Sequence, residues 1–279
     1  MAGRVNGVKE PRLWRLLEGL RLGGWMLPFH APVILITIFL LLIVYSVSLL
    51  ALRGDTLSWD ADRFYQALKI SVLSSSLSAT LAFALSVPIA YSLSRRLIPG
   101  EAVVETLTII FLGLPPVGIG IAILAFFSST MPGAFLDRAF GFIFSLKGIV
   151  LAQFLVVFPL VVKFVKEVID VVPPEMEDVY QVMGGNRLHT MFAIVLPQSY
   201  RGLIGAWLIG WLRSLGEFGA TVVVSGIVYG KTETLTTYMY TLLSSADIAG
   251  ASRVMLVLIT IATAGSILIH RLLKRLSTD

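Results

Sequence analysis

Two ionisable residues, Arg213 and Glu217, stand four residues apart inside the apolar run 200–224. On a helix that spacing places them on one face, and Thr221 extends the same face. A charge at the centre of a bilayer costs about 2.5–3.5 kcal/mol, so both side chains must face protein or a water-filled cavity. Two chemistries fit. The pair could staple neighbouring helices, or it could line an anion path in which Glu217 offsets the field of Arg213 and keeps the contact weak enough for passage. Gly216, Gly219 and Ala220 would let another backbone approach closely, as a gate requires.

Other chemistries are excluded by residue type and spacing. His30, His189 and His270 sit at span ends or in a loop, and no metal-ligand spacing joins them. The absence of cysteine removes thiolate zinc sites, iron–sulfur clusters, thiol nucleophiles and disulfides. The run from Gly226 to Thr232 imitates a phosphate-binding loop. It has three residues between its glycines where that loop needs four, and no helix of suitable character is expected after it. Gly118 and Gly120 read as close helix packing. No cofactor is therefore expected on this chain, and an intramembrane hydrolase lacks a plausible Ser/His set.

The elements that must position these residues follow from composition. Of 279 residues, 56% are hydrophobic and 14% charged, and the mean hydropathy is +0.86. A soluble domain carries about 25% charged residues. Crossing the hydrocarbon takes roughly 20 apolar residues, and six runs qualify: 33–52, 68–94, 103–128, 146–165, 200–224 and 254–273. Ser71, Ser74, Ser75, Ser78, Ala82 and Ser86 make a small-residue stripe on the second, read as close packing rather than substrate contact. Pro88 and Pro115-Pro116 should kink their helices. With the N-terminus inside, fourteen Lys and Arg residues fall in inner segments, against Arg53, Arg63, Arg138, Lys147, Lys231 and Arg253 outside. That bias predicts both termini in the cytoplasm. The net charge of +5 thus serves topology and not nucleic acid. Residues 14–22 are expected to lie on the anionic inner leaflet. The first run is too long for a signal-peptide core and lacks a cleavage site, so it is expected to stay uncleaved.

The inner loop 166–199 breaks the apolar pattern. Val171-Val172-Pro173-Pro174 is a helix start, with Glu175, Glu177 and Asp178 in the first turn. Met176, Val179, Tyr180 and Met183 should share one side of a short helix that Gly184-Gly185-Asn186 ends. A second helix is expected from Arg187 to Leu196, with Pro197 breaking the chain before the fifth span. A helix pair so delimited reads as a docking element.

Here the sequence resembles a known family. Asp178-Val179-Tyr180, Gly184, Ile194, Leu196 and Pro197 match in spacing the E-A-A, glycine and I-x-L-P pattern of ABC importer permeases. Asp stands for Glu, and Val-Tyr for Ala-Ala. Arg213-Ser-Leu-Gly216-Glu217-Phe-Gly219-Ala220 resembles the R-x-x-G-E-F-G-A of molybdate, tungstate and sulfate permeases, as does Leu114-Pro115-Pro116 their L-P-P. Gly230-Lys231-Thr232-Glu233-Thr234-Leu235 is similar to their following loop. The likeness covers about 67–273.

The resemblance implies an all-α integral membrane protein of the type I importer class. It implies a segment 1–30 before a six-span permease over 31–279, with the coupling loop at 172–197 (Glu177, Asp178, Val179, Tyr180, Gly184, Ile194, Leu196 and Pro197). Arg213, Gly216, Glu217, Gly219 and Thr221 are the candidates for pathway or gate. The implied assembly pairs the chain with a second copy. Two ATP-binding subunits use ATP and Mg on the inner side, and an oxyanion-binding protein sits outside. Molybdate or tungstate is the expected cargo and sulfate the runner-up. An oligomeric channel is the rival class, and it would need no docking loop. No regulatory extension is expected in the six residues after Leu273.

Overall fold

The serine stripe is where the bundle is assembled. The computed structural model describes residues 12–53 and 60–275, with side chains for 30–53, 60–268 and 271. Ser71, Ser74, Ser75, Ser78, Ala82 and Ser86 are all buried along α2 (Ala61–Ser94). Their small side chains let α6 (Leu146–Asp170) and α9 (Leu196–Leu215) close against it. Ser78 Oγ lies 2.8 Å from the Ser74 carbonyl in its own helix, 3.0 Å from the Val150 carbonyl and 3.1 Å from Gln153 Oε1, so its one proton is shared between α2 and α6. The packing reading of the stripe holds. α2 starts at Ala61, earlier than expected, where the Asp60 side chain accepts from Arg63 N, and it continues through Pro88.

On one flank α1 (Arg12–Arg53) packs against α12 (Ile248–Arg275), and Arg253 Nε donates to Ala51 O at 3.0 Å. Along the run 33–45 the side chains of α1 are uncovered by the rest of the chain. Residues 14–22 belong to the same helix, but their side chains, like residues 1–11, lie outside the described ones. The other elements are α3 (Glu101–Gly113), α4 (Pro116–Ser129), α5 (Met131–Phe140), α7 (Pro174–Val182), α8 (Arg187–Thr190), α10 (Gly219–Ser225) and α11 (Leu235–Ser244). No strand occurs among the described residues. Five helices are long and apolar enough to cross a membrane, or six if α3 and α4 count as one broken span.

Four expectations need correction. The third run is not a kinked helix, because α3 and α4 diverge by 113°. Leu114, held extended by the proline after it (ψ 140°), and Pro115, also extended (ψ 136°), cannot continue the α3 ladder. The fifth run also breaks: α9 ends at Leu215 and α10 begins at Gly219. Glu217 therefore sits in a break, and Arg213, Glu217 and Thr221 do not share one helix face. Pro197, by contrast, does not interrupt the chain. A π turn over Met191–Val195 joins α8 to α9, with Leu196 N donating to Met191 O. The wider turn relieves the clash of the proline ring with the carbonyl one turn back. Lastly, a helix does follow the glycine run 226–230. It is α11, opened by a capping box between Thr234 and Thr237. The N–H groups of Lys231, Thr232 and Glu233 all donate to Val228 O, so they are turned inward and cradle no phosphate.

A docking loop and a broken helix as candidate functional sites

The loop helix α7 is built inside out. Pro174 occupies its first turn, where a missing N–H costs nothing, and Gly184 ends it at φ +97°. Gly184 N donates to Gln181 O, and Gly185 N donates to Tyr180 O. This pattern needs a left-handed residue at Gly184. Asn186 then accepts from His189 N at 2.8 Å and starts α8. The expected amphipathic face is present but turned outward. Of its expected members Met176 is 40% exposed, Val179 63% and Met183 81%, and Val182, Leu188 and Phe192 add to the exposed apolar surface. The buried member of α7 is an acid, Glu177, at 4%. Asp178 is exposed, and Tyr180 is half-buried with its ring against Gly185. Ile194, Pro197, Gln198, Tyr200 and Arg201 line a cavity of about 390 Å³ where the π turn meets α9. Leu196 is half-buried beside it.

Glu177 is held from the end of α2. Arg95 Nε donates to its Oε1 at 2.6 Å, and Tyr91 Oη donates to its Oε2 at 2.7 Å. Neither Tyr91 nor Arg95 was among the sequence candidates. Arg95 counted there only as one of the charges that orient the chain. The available signal was an acid in the first turns of a proline-started helix, with an adjacent Arg pair ending the second span.

At the other site Arg213 Nη1 donates to Glu217 Oε2 at 2.7 Å, with side-chain exposures of 38% and 1%. The second carboxylate oxygen accepts from Ala220 N at 3.0 Å and so caps α10. The Glu217 carbonyl accepts from Thr236 Oγ1 at 2.9 Å. Gly216 is exposed at the break and lines a cavity of about 380 Å³ with Phe218, Thr236 and Tyr240. Gly219 is pressed on the start of α4. A Cβ there would meet Val117 Cγ2 at 3.0 Å, and one at Gly120 would meet Val223 Cβ at 2.9 Å. The two broken helices thus cross near their breaks. Thr221 is fully buried, and its Oγ1 has no hydrogen-bond partner among the described residues.

The segment after α10 holds a third buried acid, which was not among the sequence's site candidates. Glu233, 1% exposed, is clasped by Arg63 through Nε to Oε2 at 2.8 Å and Nη2 to Oε1 at 2.7 Å. Tyr229 and Tyr238 lie against the same guanidinium. Nearby, Leu235 N donates to Ser71 Oγ at 2.7 Å, which fixes the start of α11 on α2. His30 and His189 are exposed, and no cluster of metal-ligating residues occurs among the described residues.

Comparison with known proteins agrees with this geometry. Residues 82–278 match the family described as binding-protein-dependent transport system inner membrane component. The molybdenum transport system permease protein ModB of Escherichia coli (strain K12) is 32% identical over 224 residues, 78% of this chain and 96% of that protein. The sulfate transport system permease protein CysT of Salmonella typhimurium is 26% identical over 247 residues, 84% of this chain and 86% of that one. The fold is shared with a bacterial alginate ABC transporter solved in complex with its pentasaccharide-bound periplasmic protein. That chain has a TM-score of 0.72 at 16% identity, with 95% of this chain and 98% of that chain covered. An all-helical bundle with two broken spans and an outward-facing loop helix, matched over most of its length, belongs to the binding-protein-dependent inner membrane permeases of ABC transporters.

Proposed function

We propose that this chain is the permease subunit of an ATP-driven importer whose cargo is a tetrahedral oxyanion, molybdate or tungstate before sulfate. The observation that carries the reading is the reversed helix α7, whose Val179, Val182 and Met183 face out while one of its three acids, Glu177, is buried. A helix face of that kind fits a groove in a second protein, here an ATP-binding subunit that uses ATP and Mg. The permease itself catalyses nothing and binds no cofactor. The Lys/Arg bias supports cytoplasmic termini, with the α7–α8 loop inside and the α10–α11 segment outside, in the cell membrane. Two copies form a homodimer that carries two ATP-binding subunits within and an anion-binding protein outside.

Closure of the ATP-loaded partners moves the loops and opens the path alternately to either side. Arg213 offers a partly exposed cation at the fifth-span break. Glu217, paired with it, keeps that field weak enough for release. Gly216 and Gly219 supply close approach at the same level, and Thr221 follows them on α10, its hydroxyl buried in the bundle. The three anions share shape and charge, so the external binding protein supplies most of the discrimination. The names of the molybdenum and sulfate relatives support this cargo class. The test is competition in the reconstituted transporter. Excess tungstate should abolish molybdate uptake and sulfate should compete less, whereas exclusive uptake of a sugar, an amino acid or a cation overturns the assignment.

A further inference from the structure

Arg95 joins three elements through one planar group. Besides the Glu177 carboxylate at 2.6 Å, it donates to Ile169 O at 3.3 Å and Val172 O at 2.7 Å, where α6 ends and the loop begins, and to Ser94 Oγ at 3.0 Å. Ser94 Oγ in turn donates to Asp170 at the end of α6. A guanidinium presents its donors in a fixed fork, so these acceptors are locked in one relative geometry. Tyr91 takes the remaining carboxylate oxygen. Among the described residues the buried acid of α7 is thereby bonded to the end of α2, while Val179, Val182 and Met183 face outward.

From α2 the links run on to the broken helix. Trp211 Nε1 donates to Ser76 Oγ at 3.1 Å, and Trp207 Nε1 donates to Thr80 Oγ1 at 3.3 Å, binding α9 to α2. Ser71 holds Leu235 N, and the next residue, Thr236, donates to the Glu217 carbonyl. The α9 side of the Gly216–Phe218 break is therefore attached to α2 directly, and Glu217 within the break is attached to it through the start of α11; the far end of α2 is the one bonded to α7.

We infer that Arg95 and Tyr91 are positioning residues for coupling: through Glu177 they make α7 and the end of α2 move as one body, so that displacement of the loop reaches the fifth-span break. The inference rests on reading α7 as the docking helix. A chain of contacts alone does not establish coupling, so the decisive quantity is the number of ATP molecules hydrolysed per anion imported, measured in the complete reconstituted transporter. Arg95→Gln and Glu177→Gln should retain the ATP-binding subunit at wild-type stoichiometry and raise that ratio about tenfold. Tyr91→Phe should raise it less, and Arg95→Lys should fall between wild type and Arg95→Gln. The Arg95→Gln/Glu177→Gln double variant should be no worse than either single one, because the same link is broken once. An unchanged ratio in variants that keep the ATP-binding subunit overturns the inference. Loss of that subunit from all four single variants overturns it too, because the contact then serves assembly. Failure of the docking reading is distinct: the wild-type chain would then not retain the subunit at all.

Discussion

Removing Arg213 should harm the protein more than removing Glu217, although the two are partners. The structure makes the pair unequal, with Glu217 1% exposed and Arg213 38%. Arg213→Met leaves a buried carboxylate whose remaining donor is Ala220 N, a situation that costs about 3–5 kcal/mol. Glu217→Gln leaves a cation that water can reach, and the amide oxygen can still cap α10. Its cost is one weakened hydrogen bond, about 1 kcal/mol. The double substitution removes the stranded charge and should cost about 1–2 kcal/mol, well below the sum of the two single effects. Reversible unfolding in mixed micelles measures all three. A Glu217→Gln penalty larger than that of Arg213→Met, or additive penalties, would refute the argument. Transport then separates stapling from passage, since a folded double variant that carries anion normally makes the pair purely structural.

At Gly184 the space around a Cβ is open but φ is +97°, so Gly184→Val should cost about 1–2 kcal/mol of backbone strain. That strain distorts the turn between α7 and α8, and co-purification should show the ATP-binding subunit lost, with Gly184→Asn much milder. Gly120→Ala drives a Cβ to 3.0 Å from Ala220 Cα; about 1–3 kcal/mol of overpacking at the crossing of α4 and α10 should appear as reduced thermal stability and slowed uptake. Ser71→Ala strands the buried N–H of Leu235 at about 1–3 kcal/mol, and hydrogen exchange at the start of α11 should rise.

Much of this architecture was legible in the sequence because a bilayer reads sequence crudely. The four unbroken spans, in α1, α2, α6 and α12, follow from run length alone, and the start of α7 at Pro174 and its stop at Gly184 follow from local backbone chemistry. The breaks were harder. Leu114-Pro115-Pro116 announces that a helix ends, but not that the next one departs at 113°. The direction is set by the contact of Gly120 and Gly219 with the partner helix, a long-range fact. At Gly216–Phe218 there is no proline, and the helix stops where Glu217 turns back to cap Ala220 and its carbonyl takes Thr236. Spacing of four still brought Arg213 and Glu217 together, though across a break rather than along one face. Pro197 misled in the opposite direction, because a π turn absorbs it. The inversion of α7 was invisible for a simpler reason. Periodicity marks the apolar side of a helix but not which side faces the protein, and here the protein offered Arg95 and Tyr91 to an acid.

The central claim is that this chain passes an oxyanion only when an ATP-binding subunit drives it, and the most direct measurement is uptake of radiolabelled molybdate by proteoliposomes that contain the complete transporter. The account predicts accumulation that requires hydrolysable ATP and the external binding protein, and that disappears when the partner subunit is made unable to hydrolyse ATP. Equal molybdate flux with the partner inactive or absent would make the chain a passive channel and contradict the account.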